Sequence, residues 1–256
     1  MCRNTPDSDP ALRPGERVDD LELEGLRIIQ NPDAFCFGTD SVLLADFARA
    51  KKENRVLDLG TGCGVLLLLL WGRYHPQELV GVEIQPQMAD IARRNVAFNR
   101  LESVARVVEG DYKRHGEAFP KAKFDLVVAN PPYVKLGAGA GRENQAHYIA
   151  RHEVAATLAD VVEAASAALI TGGRFCMVHH PHRLAEIITA MRGVRIEPKR
   201  MKLVQPREDK PANILLIEGI KNGRSGMHFE PTLSVYGPDG DYTASMQRVY
   251  GGKPYA

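Results

Sequence analysis

The chain has 256 residues, 44% of them hydrophobic, enough to bury one sizeable core with modest extensions. A formal charge of +1 gives no general field for a polyanion, so any nucleic-acid contact must come from a local basic cluster. The longest apolar run, Val65 to Trp71, is too short to span a bilayer, and residues 1–17 hold no apolar signal segment, which predicts a soluble, cytoplasmic protein without a membrane partner.

Cys2, Cys36, Cys63 and Cys176 are scattered, with no CxxC pair and no histidine at ligand spacing. They read as reduced thiols, with neither a disulfide framework nor a metal site.

In chain order, residues 1–15 read as a flexible leader. The alternating pieces Leu21-Glu22-Leu23 and Leu26-Arg27-Ile28-Ile29, broken at Gly25, predict a small hairpin within Leu21 to Phe37, and Asp40 to Ala50 a helix. Residues 16–54 thus form an N-terminal extension too short for a separate domain. The pattern then changes. Arg55 to Leu59, Leu79 to Ile84, Ala105 to Glu109, Phe124 to Ala129 and Arg174 to Val178 are short and β-rich. Between and after them, Val65 to Tyr74, Pro86 to Asn99, Glu153 to Leu169 and Pro181 to Met191 carry helical patterns. Alternating strands and helices imply crossover connections and a mostly parallel sheet covered on both faces, a doubly wound α/β domain over 55–220. Further strands are expected at Val194 to Val204 and Ile214 to Glu218. The tail 221–256, with its turn Pro238-Asp239-Gly240, is expected to be a small appendage.

Asp58-Leu59-Gly60-Thr61-Gly62-Cys63-Gly64 ends the first core strand and opens a helix, where the backbone must turn tightly and approach a ligand. Dinucleotide loops space their glycines as GxGxxG around a pyrophosphate; here they fall as GxGxG behind an acid, which repels a diphosphate and suits an ammonium group. Glu83, with Ile84 beside it, ends the second core strand and can accept from ribose hydroxyls; Asp111 is read as ending the third. Singly, each acid could just cap the next helix. Together with the glycine loop they make a pocket for a cationic, ribose-bearing ligand, a description that S-adenosylmethionine meets.

Asn130-Pro131-Pro132-Tyr133 follows the fourth core strand. Consecutive prolines fix φ and hold Asn130 extended, so its side chain and the Pro131 carbonyl form a preorganised pair of acceptors. An exocyclic amine conjugated to a ring or amide is a poor nucleophile. Accepting hydrogen bonds from its N–H groups draws the nitrogen toward a pyramid whose lone pair faces the methyl donor, and Tyr133 would stack on the planar group.

DLGTGCG and NPPY resemble the motifs of class I methyltransferases acting on adenine N6, on guanine N2 of ribosomal RNA, or on the release-factor glutamine amide. Gly38-Thr39-Asp40-Ser41-Val42-Leu43-Leu44, Ala150-Arg151-His152-Glu153, Pro198-Lys199-Arg200 and Val204-Gln205-Pro206, with Ile28-Ile29-Gln30 and Val235-Tyr236, resemble the bacterial tRNA adenine-N6 methyltransferases that act on adenosine 37 beside the anticodon of valine tRNA. The resemblance runs from Glu16 to Tyr250-Gly251. It implies a Rossmann-like seven-stranded sheet, mostly parallel with one antiparallel strand and helices on both faces, and the anticodon loop of tRNA as partner. By the same resemblance, Asp58, Gly60, Gly62 and Gly64 hold the methionine part of S-adenosylmethionine, Glu83 with Ile84 the ribose side and Asp111 the adenine. Thr39 borders the methionine end, and Asn130, Pro131, Pro132 and Tyr133 carry catalysis. Release-factor enzymes generally carry a helical N-terminal domain that this chain has no length for, and the ribosomal guanine enzymes usually duplicate the fold or place a Phe after the prolines.

The segment Arg195 to Lys210 holds Arg195, Lys199, Arg200, Lys202, Arg207 and Lys210 against three acids, a strip expected to face RNA phosphates. His179-His180-Pro181-His182 lacks acidic or cysteine partners and is expected to be surface histidines at a strand end rather than a metal site.

Overall fold

The alternation of β-branched strands with apolar helices builds one large sheet. The computed structural model describes residues 12–31, 38–119, 123–131 and 157–251. It begins with β1 (Arg17–Asp20), β2 (Arg27–Gln30) and α1 (Thr39–Ala48). The core follows as β3 (Arg55–Leu59), α2 (Val65–Tyr74), β4 (Glu78–Glu83), α3 (Pro86–Phe98), β5 (Ala105–Glu109), α4 (His115–Ala118) and β6 (Phe124–Ala129). Then come α5 (Leu158–Ala168), β7 (Leu169–His179), α6 (Leu184–Gly193), β8 (Ile196–Gln205), β9 (Ile214–Lys221), β10 (His228–Phe229), β11 (Leu233–Ser234) and α7 (Ala244–Tyr250).

The strands lie in the order β10-β8-β9-β7-β6-β3-β4-β5, with β11 also pairing β8. β3 to β7 pair in parallel, and β9 runs antiparallel between β7 and β8. This is the mostly parallel sheet with one reversed strand that the α/β alternation and the resemblance led us to expect.

Strand periodicity sorts the core into two layers. Val56, Leu126 and Val128 face the layer of α1, α2, α3 and α7. Leu57, Leu59, Val127 and Ala129 face that of α5 and α6. Helix α2 is apolar all round and buries Val65 to Leu70 because a second layer covers its outer side: Leu23 and Leu26 of the hairpin pack on Gly72, where a Cβ would lie 2.8 Å from them. Each leucine so enclosed contributes about 1.5–3 kcal/mol.

The hairpin differs from its expected register. Its first arm is Arg17–Asp20, and Leu21-Glu22-Leu23 lies in the connection. Glu22, Glu24 and Gly25 take positive φ, which a strand excludes, so the alternation there comes from a turn that drops Leu23 onto α2. β7 begins five residues before its expected start, running through Gly172 and Gly173 beside an irregularity in its pairing with β6. The described part of the helix expected from Glu153 starts at Leu158, behind a Thr157–Asp160 capping box. Pro181–Arg183 forms a 3-10 turn leading into α6.

Candidate active site

β3 pairs with β4 on one side and β6 on the other, so the winding reverses there and a crevice opens outside the carboxyl ends of these strands. The loop from Asp58 to Gly64 forms its floor. Gly60, Gly62 and Gly64 have φ of +74°, +55° and +82°, values that side chains rarely adopt. The N–H groups of Gly60 and Thr61 donate to the Val82 carbonyl at 2.9 and 3.0 Å, binding the loop to β4. Thr61 rests on Gly81, where a Cβ would stand 2.8 Å from its side chain, so only glycine lets the loop lie this close to the strand.

Asp58 is fully buried. Its Oδ2 accepts from the Thr61 hydroxyl at 2.6 Å, whereas Oδ1 is buried without a hydrogen-bond partner among the described residues. Burial, added to by the Glu83 charge, pushes the carboxyl up to about 7 despite the Thr61 hydrogen bond. A buried acceptor left unmade costs about 1–3 kcal/mol, which a cationic donor against Oδ1 would offset. The loop therefore fits the ammonium end of an amino-acid-bearing cofactor.

Glu83 is buried and bridges two backbone segments: Oε2 accepts from the Gly62 N–H and Oε1 from the Gln85 N–H, each at 2.9 Å. Ile84 follows it and is 43% exposed, an apolar surface at the rim of the crevice suited to a planar ring. Asp111 does not end its strand as expected. β5 stops at Glu109, and Asp111 folds a turn by accepting from the Lys113 N–H at 2.9 Å, which satisfies a donor that continued pairing would have used.

Asn130 stands directly after β6. Its Nδ2 donates to the Ser41 hydroxyl at 3.1 Å, and Ser41 is buried in the first turn of α1. The amide oxygen therefore faces away from α1, and no described residue donates to it. Thr39, two positions earlier, has its Oγ1 3.4 Å from the Tyr250 hydroxyl. Pro131 is described. Pro132, Tyr133, Phe37 and Arg151-His152-Glu153 lie outside the described residues.

The profile of the methyltransferase small domain family matches residues 26–195, a span holding the glycine loop, Glu83, Asp111 and Asn130. The chain belongs to that family. A tRNA1(Val) (adenine(37)-N6)-methyltransferase from Aeromonas salmonicida is 31% identical over 181 residues, covering 70% of this chain and 74% of the relative. The protein of that name from Porphyromonas gingivalis is 29% identical over 240 residues, covering 91% and 93%. At that identity and coverage the methyltransferase stands among the tRNA1(Val) (adenine(37)-N6)-methyltransferases. Among solved structures, a predicted O-methyltransferase from Agrobacterium tumefaciens matches with a TM-score of 0.70 at 25% identity, over 85% of this chain and 98% of that one.

Two residues that shape the methyltransferase's site escaped the sequence reading. Ser41 was visible only as part of a family segment; the usable clue is a small hydroxyl residue standing directly before the apolar run Val42 to Ala45. Asn95 on α3 is fully buried. Its Nδ2 donates to the Cys63 and Ile29 carbonyls at 2.9 and 3.0 Å, and its Oδ1 accepts from the Ile29 N–H at 2.6 Å, joining β2 to the glycine loop.

The expected basic strip is divided. Arg200 lies 3.9 Å over the Phe47 ring and donates to the Phe47 carbonyl, Glu218 and Glu230 at 2.6, 2.9 and 2.8 Å. Lys202 pairs with Glu230 at 2.9 Å. Burial opposes the Glu230 charge, yet these hydrogen bonds hold its carboxyl at about 2. Lys202 is buried and the Arg200 side chain is only 11% exposed and bound up with Glu218, Glu230 and the end of α1, so neither meets RNA phosphates, which corrects their expected role. Arg195 sits at the opposite end of β8 from the crevice, and Lys199 donates to the Arg224 carbonyl. Arg207 and Lys210, in the connection from β8 to β9, are exposed on the crevice side.

His179 departs from its expected surface position: it is 3% exposed, and burial, with Arg183 adding to it, lowers the imidazole to about 4. Among the described residues no group of three His, Cys, Asp or Glu could hold a metal ion, and no helix is long and apolar enough to cross a membrane.

Proposed function

We propose that this methyltransferase transfers a methyl group from S-adenosylmethionine to the exocyclic N6 of adenine 37 in the anticodon loop of valine tRNA. The observation that carries the reading is Asn130: an amide at the end of β6, turned by Ser41 so that its oxygen is left to accept, beside a loop whose buried Asp58 has one oxygen, Oδ1, without a partner among the described residues. The names of the relatives supply the nucleotide.

S-adenosylmethionine supplies an electrophilic methyl on a sulfonium. Asp58 would take its ammonium group, Glu83 the ribose hydroxyls, Ile84 and Asp111 the adenine, with Thr39 and the loop glycines bordering the methionine chain. Asn130 Oδ1 and the Pro131 carbonyl would accept hydrogen bonds from the two N6 N–H groups of the substrate adenine, with Tyr133 stacked on its ring. So oriented by Asn130 and Pro131, N6 would take up the methyl that the bound cofactor supplies, and its extra proton would pass to solvent. Single-stranded loops present splayed bases, so the adenine enters without the full cost of leaving a duplex.

Transfer of tritiated methyl from S-adenosylmethionine to tRNA, ribosomal RNA and release factor, followed by nucleoside analysis, tests the reading. N6-methyladenosine in valine tRNA is expected. Label in guanine N2, in a hydroxyl or in a glutamine amide overturns it.

A further inference from the structure

Tyr236, Tyr242 and Tyr250 form a column of parallel rings. Tyr236 and Tyr242 are 5.3 Å apart at 22°, and Tyr242 and Tyr250 are 5.2 Å apart at 16°. Burying such rings is normally favourable, yet Tyr236 stays 40% exposed and Tyr242 38%.

The exposure is enforced by local backbone. Tyr236 donates its N–H to the Pro206 carbonyl at 2.9 Å, fixing it beside the end of β8. The turn from Gly237 to Asp241, closed by the Gly237 N–H to Asp241 carbonyl bond at 2.8 Å, folds Tyr242 back in an antiparallel bridge to Tyr236. Thr243 then caps α7, accepting from the Met246 N–H at 3.2 Å and donating to the Ser234 carbonyl at 2.6 Å, and α7 delivers Tyr250 beneath Tyr242. Tyr250 is the inner end, its hydroxyl against Thr39 of the helix turn that orients Asn130.

The outer ring is therefore rigid, wet and tied to the catalytic rim. Arg207 follows Pro206 directly; it is exposed, and its side chain forms no ion pair or hydrogen bond among the described residues. Asp239 and Asp241 of the turn would repel a phosphate, so a nucleic-acid backbone is directed to the Arg207 side.

We propose that Tyr236, backed by Tyr242 and Tyr250, is a stacking platform for an unpaired base of the RNA substrate close to the adenine being methylated. The proposal rests on the tRNA reading above. A flat aromatic face is indifferent to base identity and favours single strands, and a preassembled column spares the ordering entropy of a loose side chain.

The probe is the unmodified anticodon arm of valine tRNA, one stem and its loop, end-labelled with fluorescein. Tyr236→Ala and Tyr236→Leu should weaken its binding by about 5- to 150-fold and raise its KM, while Tyr236→Phe stays within about twofold. Affinity for S-adenosylmethionine, measured by calorimetry, should be unchanged in all three, which also reports that each variant is folded. 2-Aminopurine beside the target adenine should be quenched by wild type and not by Tyr236→Ala. Wild-type affinity in Tyr236→Ala, or a Phe variant as impaired as Ala, overturns the platform while wild-type methylation of the arm leaves the tRNA reading standing. If wild type neither binds nor methylates the arm but labels another acceptor, the tRNA reading fails and the platform with it.

Discussion

The Asn130 amide is oriented from across the molecule: its Nδ2 donates at 3.1 Å to the hydroxyl of Ser41, a residue 89 positions earlier in the chain. A planar amide that donates on one side presents its oxygen on the other, so the serine decides which atom of Asn130 is left to face the crevice. Ser41→Ala should lower kcat about tenfold, the worth of one hydrogen bond, with little change in S-adenosylmethionine affinity. Asn130→Ala should lose about 2–4 kcal/mol of transition-state stabilisation, or roughly 30- to 10³-fold in kcat. Steady-state kinetics on the anticodon arm measures both, and full activity in Asn130→Ala removes the acceptor role.

Asp58 gives the cofactor-free protein an unusual dependence on pH. Its folded carboxyl is raised to about 7, so between about 4 and 7 the folded state holds a proton that the unfolded chain has released, and stability falls as pH rises through that window. From pH 4 to pH 8 the wild type should therefore lose about 2–4 kcal/mol more stability than Asp58→Asn, read from urea midpoints without ligand. The same variant should bind S-adenosylmethionine at least about tenfold more weakly, the loss of one charge-assisted hydrogen bond. Parallel pH profiles for the two proteins would contradict the buried-carboxylate explanation.

Glu230 acts in the other direction. Its carboxyl is held at about 2, so the stability it contributes is complete above about 4.5 and is lost as pH falls toward 2. Arg200→Met strips a donor from both Glu230 and Glu218 and should lower Tm by several degrees, because one member of a buried ionic group is removed. Arg207→Ala and Lys210→Ala should do the reverse, leaving Tm in place while raising KM for RNA and reducing its salt dependence. If Arg200→Met kept its Tm and lost RNA affinity alone, the division of the basic strip would be wrong.

Asn95→Ala removes three hydrogen bonds and leaves the Ile29 N–H and carbonyl unpaired against the glycine loop. A loss of about 2–4 kcal/mol is expected. Because the Cys63 carbonyl is one of its partners, S-adenosylmethionine affinity should fall as well; calorimetry beside a denaturant titration separates the two effects.

The core was legible because its elements carry strong local patterns. β3, β5, β6 and α2 coincide with the expected segments, each a run of apolar residues bounded by glycine, proline or charge. α7 was not foreseen: its seven residues bury only Met246 and Val249, too few to show a helical period. The hairpin was misplaced because Leu23 is buried by a turn and not by strand pairing. Arg200 and Lys202 read as surface charges since their acidic partners lie on β9 and just beyond β10, a placement that only the sheet order reveals. Ser41 is one hydroxyl among many until β6 brings Asn130 beside it.

Helix α1 is made early in the chain but is held at both ends by what comes late. Its first turn meets Tyr250 across 211 residues, and its last turn offers the Phe47 carbonyl to Arg200 across 153. A growing polypeptide can assemble the glycine loop while α1 still lacks the partners that set its position, and these arrive with β8 and α7. Competence would thus be withheld until β8 and α7 have been made, and a product terminated before them would capture cofactor without modifying RNA.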